Sequence, residues 1–365
     1  MGRENSHEEP RPRCVSRSSN QGIVKPMENR LVFLVSPPRS GSTLLMRMLA
    51  AHSQIYSRPE PHIMPPLAHL GYFDNVDAAP FDHLQAAQAI REFVADLPRG
   101  EADYVDACRA YTDTLYGRML SSHGQGKRYF LDKTPANALV LPFITRLYPA
   151  ARYIVLLRHP AAIFASYANS FFDGDYRAAQ RFNPILHRYV PAIARFLREE
   201  PAPTAVVRYE TLVQQPDAEM RRLCAFLDLA YEPEMIEYGS HEFRARGLGD
   251  PITVERQTRP VGDSVDRWAE ELAHDADKFT FVRGLMEGIN DEDLRTWGFA
   301  RESLFELVEA ARQRPRRQMT PPVRWNRFLL ERKLLRWARK FVHGVPGMEQ
   351  SVRKLRLVCD VLLRG

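Results

Sequence analysis

The stretch that most constrains the fold is Leu31–His52, LVFLVSPPRSGSTLLMRMLAAH. Leu31 to Val35 are all apolar, long enough for a buried strand, and Ser36-Pro37-Pro38 is a turn signal. The small, cationic run Arg39-Ser40-Gly41-Ser42-Thr43 then opens an apolar helix over Leu44–Ala51. Strand, tight loop and helix N-terminus make a phosphate cradle. First-turn N–H groups and the helix dipole favour an anion there, and Gly41 allows close backbone approach.

The loop lacks the G-x-x-x-x-G-K-[ST] spacing of a Walker A motif, and its fixed cation is Arg39. P-P-R-S-G-S-T-L-L resembles the loop with which sulfotransferases hold the 5′-phosphosulfate of 3′-phosphoadenosine 5′-phosphosulfate (PAPS). Ser57-Arg58-Pro59-Glu60-Pro61-His62 is similar to the bacterial branch that includes sulfotransferase domains of polyketide synthases. The resemblance implies an α/β fold, a three-layer, P-loop-like parallel sheet flanked by helices. It also implies PAPS as co-substrate and Ser40, Gly41, Ser42 and Thr43 beside Arg39 as its ligands.

A second strong strand, Arg152–Leu157, ends in Arg158-His159-Pro160 and runs into a helix from Ala161 to Asn169. Ligands of parallel sheets sit at strand carboxyl ends, and arginine offers the fork that phosphate oxygens accept. This unit resembles the family's 3′-phosphate site, which implies that role for Arg158 and Ser166. Tyr209-Glu210-Thr211-Leu212 follows a strand over Thr204–Arg208 and is close to the family's Y-E-D-L, which places Tyr209 by the adenosine. As a single tyrosine it reads equally as core.

Arg58 to Pro66 is proline-rich, which predicts extended backbone and no helix. Glu60 and His62 then share one side, with alpha carbons about 6–7 Å apart, the proximity a general base and its orienting partner need. A short strand at Tyr129-Phe130-Leu131 delivers Asp132-Lys133-Thr134-Pro135. In cytosolic sulfotransferases the similar segment is Lys-Thr-His, with Lys near the transferring sulfate and His as base. Here Pro135 replaces that His, so the resemblance assigns Lys133 to the bridging oxygen and leaves Glu60 or His62 as base. Further helices are predicted over Asp82–Asp96, Ala102–Ser121, Ala138–Leu147, Phe182–Glu200 and Glu219–Leu227.

The domain boundaries follow composition. Residues 1–28 read as a disordered leader without an apolar signal region, 29–311 as the sulfotransferase domain, and 312–365 as a basic helical tail. The net charge of +6 is uneven: from Arg312 onward 15 Lys/Arg stand against 3 Asp/Glu, a local +12 that leaves −6 for residues 1–311. The basic balance therefore gives no ground for a nucleic-acid partner. Trp325–Val342 reads as an amphipathic helix with Leu330, Leu334, Trp337 and Phe341 on one face, suited to an anionic membrane surface, an acyl carrier protein or the body of the chain. Residues 240–268, rich in Gly, Pro, Arg and Asp, read as a lid or binding loop. Their Gly249-Asp250-Pro251 and Val265-Asp266-Arg267-Trp268 resemble the cover of the 3′-phosphate in the polyketide-associated relatives.

Four scattered cysteines, at 14, 108, 224 and 359, form no CxxC pair and fit a reducing, cytoplasmic setting, peripheral to a membrane if the tail binds one. No His/Asp/Glu cluster has metal-ligand spacing, and no metal is expected. The expected reaction moves a sulfuryl group from PAPS to a hydroxyl of a small-molecule, lipid or carrier-bound acyl acceptor. A P-loop-type kinase and a non-catalytic nucleotide-binding relative are the alternatives.

Overall fold

A computed structural model describes residues 26–70, 72, 83–124, 126–240, 258–260 and 265–314. Residues 1–25 of the expected leader, most of residues 240–268 including Gly249-Asp250-Pro251, and the tail from 315, with the helix expected over Trp325–Val342, lie outside the described residues.

Strands β1 (Leu31–Val35), β2 (Ile55–Pro59), β3 (Tyr129–Lys133), β4 (Arg152–Leu157) and β5 (Thr204–Arg208) form one sheet in the order β2-β3-β1-β4-β5. Every pairing is parallel, with Phe33 opposite Asp132 on one side and Tyr153 on the other. Parallel strands need crossover connections, and helices supply them on both faces. The two faces read directly from the alternation of side chains. Leu31, Phe33, Val35, Tyr153, Val155 and Leu157 enter one hydrophobic core, whereas Val32, Leu34, Ile154 and Leu156 enter the other. The expected three-layer architecture is thus present.

The helices run in chain order as α1 (Ser42–Ala50), α2 (Met64–Ala68), α3 (His83–Ala95) and α4 (Glu101–His123). After β3 come a 3₁₀ turn, Pro135–Leu139, and α5 (Leu141–Leu147). Between β4 and β5 lie α6 (Pro160–Phe172), α7 (Tyr176–Phe182) and α8 (Ile185–Glu199). Then follow α9 (Tyr209–Gln214), α10 (Pro216–Phe226), α11 (Arg267–Ala273), α12 (Ala276–Glu287), α13 (Asp291–Trp297) and α14 (Glu306–Arg312).

Three expectations change. Arg58–Pro66 is not extended throughout: it is strand to Pro59, turns at Glu60 and His62 with φ of +27° and +52°, and becomes helical at α2. Pro65 and Pro66 fall in the first turn of α2, where a missing N–H costs nothing. The helix expected over Phe182–Glu200 begins only at Ile185, because Asn183-Pro184 separates it from α7. The helix expected over Ala138–Leu147 is likewise a 3₁₀ turn and then α5, divided at Val140.

Candidate active site at the carboxyl edge of the sheet

Because all five strands run the same way, the segments that leave them emerge along one edge. From β2 to β5 these carry Glu60 and His62, then Lys133, then the loop Ser36–Thr43, then Arg158, then Tyr209. The sheet order therefore splits the expected residues into two halves, with the β1 loop in the centre.

On one half the cations converge. Arg158 donates from Nη1 to the carbonyl oxygen of Arg39 at 3.1 Å, and Arg39 Nε donates to Ser166 Oγ at 3.3 Å. The Arg158 guanidinium lies 4.3 Å from the centre of the Tyr209 ring. Arg39, Arg158, Ser166 and Tyr209 thus form one contiguous cluster. Arg39 and Gly41 both have positive φ, +69° and +91°, so the loop alternates left-handed residues in the manner of an anion-binding nest. Gly41 caps α1 without any side-chain cap bond, which leaves the first-turn N–H groups of Ser42 and Thr43 for a ligand. Its glycine has a second cause that the sequence did not reveal. A Cβ there would sit 2.4 Å from Tyr209 Cδ2, so the ring packs directly against the loop.

Two buried polar atoms in this cluster, Ser40 Oγ and Arg158 Nε, have no hydrogen-bond partner among the described residues. Burial lowers the proton affinity of Arg158 and the Arg39 charge adds to the effect, against Tyr209 and Glu210, which raise it. An anion would relieve that imbalance.

On the other half, Glu60 bridges a buried cation and an exposed imidazole. Lys133 Nζ donates to Glu60 Oε1 at 2.6 Å, and the other carboxylate oxygen lies 3.4 Å from His62 Nε2. The Lys133 side chain is 1% exposed and that of His62 47%. The expected meeting of Glu60 and His62 is real, but the left-handed turn between them makes it, not a shared side of an extended chain. Lys133, expected at a bridging oxygen, is held by Glu60.

Several residues that support these groups had no signal in the sequence. Asp132, fully buried, accepts from Tyr116 at 2.6 Å and from Thr134 at 2.8 Å. His159 donates its backbone N–H to Glu210 at 3.0 Å, and Trp297 Nε1–H donates to the Arg158 carbonyl at 2.9 Å. Apart from Thr134 and Asp132, which are two residues apart, these partners are separated by 16 to 139 residues, and periodicity cannot pair them.

A model of the Sulfotransferase family matches residues 32–233, more than half of the chain. The nodulation protein NoeE of Sinorhizobium fredii is 32% identical over 269 residues, which cover 66% of this chain and 60% of that protein. A putative protein-tyrosine sulfotransferase of Caenorhabditis briggsae is 26% identical over 213 residues, 57% of this chain and 69% of that one. Among solved structures, the sulfotransferase domain from the curacin biosynthetic pathway is 26% identical, with a TM-score of 0.45 over 66% of this chain and 90% of the domain. Since the family match runs from β1 past Tyr209, taking in both cation-bearing loops, the chain belongs to the Sulfotransferase family.

Proposed function

We propose that the protein transfers a sulfuryl group from PAPS to an acceptor hydroxyl, with the nucleotide along β1 and β4 and the hydroxyl beside His62. The observation that carries this reading is the direct contact between the two cation loops: Arg158 Nη1 lies 3.1 Å from the Arg39 carbonyl oxygen. The donors there fit a bisphosphorylated nucleotide. They comprise two guanidiniums, the Ser40, Ser42, Thr43 and Ser166 hydroxyls, and helix N–H groups, with Ser40 Oγ and Arg158 Nε still seeking acceptors. Arg39 with Ser40 to Thr43 would hold the 5′ end, Arg158 and Ser166 the 3′-phosphate, and Tyr209 the adenosine side.

Bound PAPS would supply the sulfuryl group and a stable leaving phosphate. His62 Nε2–H is turned to the Glu60 carboxylate, so its Nδ1 carries the lone pair that accepts the hydroxyl proton. Glu60 orients this imidazole and is itself anchored by Lys133. Arg39 and the α1 N-terminus stabilise the charge that develops on the transferring oxygens. Acceptors in this reading include a small molecule, a lipid or a carrier-bound acyl chain, and the basic tail would dock an anionic surface such as a membrane or an acyl carrier protein.

Incubating the protein with ³⁵S-labelled PAPS and a cell extract, without Mg²⁺, should yield a labelled product whose mass identifies the acceptor. Mg²⁺-dependent use of ATP instead would mark a kinase, and nucleotide binding without transfer a non-catalytic relative. Arg39→Ala and Arg158→Ala should each weaken binding of 3′-phosphoadenosine 5′-phosphate about ten- to a hundredfold, from the roughly 1.5–3 kcal/mol of a lost charged hydrogen bond. His62→Ala and Glu60→Gln should bind it normally and turn over slowly. Full rate in both would refute the base assignment.

A further inference from the structure

We propose that Thr134, itself set by Asp132 and Tyr116, is a positioning residue that holds the Glu60–His62 turn in its reactive shape. The proposal rests on the sulfuryl-transfer reading and adds residues to it.

Glu60 and His62 are both non-glycine residues at positive φ, +27° and +52°. Each such residue costs about 1–2 kcal/mol, so a turn containing two must be held from outside. The end of β3 does this at both ends of the turn. Lys133 binds the Glu60 carboxylate at 2.6 Å, and Thr134 Oγ1 accepts the backbone N–H of His62 at 3.3 Å. A hydroxyl can serve there only if its own hydrogen points elsewhere. Asp132 accepts that hydrogen at 2.8 Å through one oxygen, and Tyr116 O–H donates to the other at 2.6 Å. The carboxylate is wholly buried and the tyrosine 1% exposed, so the rotor of Thr134 is fixed from behind by groups no substrate reaches. The chain Tyr116–Asp132–Thr134–His62 thus runs from the core to the proton acceptor without touching Arg39, Arg158 or Ser166.

That separation makes the role testable. Thr134→Val keeps the shape and removes the acceptor, and Thr134→Ser keeps the hydroxyl. With ³⁵S-labelled PAPS and the acceptor pool of the extract, Thr134→Val should lower the rate at saturating PAPS about ten- to a hundredfold, a loss in line with small misplacements of reacting groups. KM for PAPS and calorimetric affinity for 3′-phosphoadenosine 5′-phosphate should stay within about twofold, and Thr134→Ser should recover most of the rate. Tyr116→Phe should fall in the same direction by less. In hydrogen exchange the His62 amide should lose protection in the valine variant alone. A Thr134→Val protein at full rate beside an inactive His62→Ala would overturn the positioning role and leave the transfer reading standing. Equal losses of rate and nucleotide affinity would also overturn it, as ordinary destabilisation. A wild type inert with PAPS would instead remove the transfer reading, and a fully active His62→Ala the base assignment, and either would take the positioning role with it.

Discussion

His159 sits between Arg158 and α6, and its imidazole is closed in on three sides. It stacks on Trp268 with ring centres 4.1 Å apart, meets the Phe299 edge at 4.7 Å, and donates from Nε2 to the Leu304 carbonyl at 2.9 Å. Burial, with a smaller push from the Arg158 charge, lowers its pKa from the usual 6.5 to about 4, against the Leu304 hydrogen bond, which raises it. The fold therefore holds the neutral ring. The stability that His159 contributes is complete above pH 6.5 and is lost as pH falls toward 4, because the unfolded chain takes up the proton first. Full loss amounts to about 3 kcal/mol for that shift. Urea unfolding across this range should show a steeper acid limb in the wild type than in His159→Gln. Equal slopes would refute the assignment. Nothing in the sequence distinguishes this histidine from His62, since R-H-P and E-P-H are both polar turns. Their opposite surroundings, core aromatics and open edge, exist only after folding.

Among the elements, the β1–loop–α1 unit was the most legible and the β2–α2 segment the least. An apolar run, a proline turn and a small-residue helix start carry their own local signals, and the strand and helix match the expectation to within two residues. Ile55–Pro59 carries no such signal: it is a short edge strand, and Pro59 is tolerated because it ends it. The β1 unit also yields a prediction. Gly41→Ala adds a side chain at φ +91° and drives it into the Tyr209 ring, 2.4 Å from Cδ2. The ring must move, and Arg158 stacks on it. Unfolding free energy should fall by about 1–3 kcal/mol and affinity for 3′-phosphoadenosine 5′-phosphate by tenfold or more. Unchanged affinity would mean that Tyr209 does not shape the proposed nucleotide site.

At the scale of the whole molecule, the sheet stands on helices beyond residue 233, where the family match ends. Trp297 from α13 donates to the Arg158 carbonyl, Arg208 donates to the Trp297 carbonyl at 3.1 Å, and the Leu304 carbonyl holds His159. The segment 265–314 therefore secures the loop proposed to bind the 3′-phosphate. A protein ending at Arg314 should bind 3′-phosphoadenosine 5′-phosphate as tightly as the full chain, whereas one ending at Ser240 should not. Comparable binding by the shorter protein would show that these helices do not support the site.

The sequence alone determined the local units: an apolar strand turning into a helix at Arg39–Thr43, a second at Arg158, and the residue types that suit phosphate. These follow from short-range rules of strand, turn and helix start, which act over a few residues. Only the tertiary structure decided that β1 lies between β3 and β4, which puts Arg39 against Arg158 and Lys133 under Glu60. It also decided that a left-handed turn, held by Thr134, brings His62 to Glu60. The physical reason is that strand order and buried hydrogen bonds join residues 51 to 139 positions apart in the chain, and their energies depend on burial that no local pattern encodes.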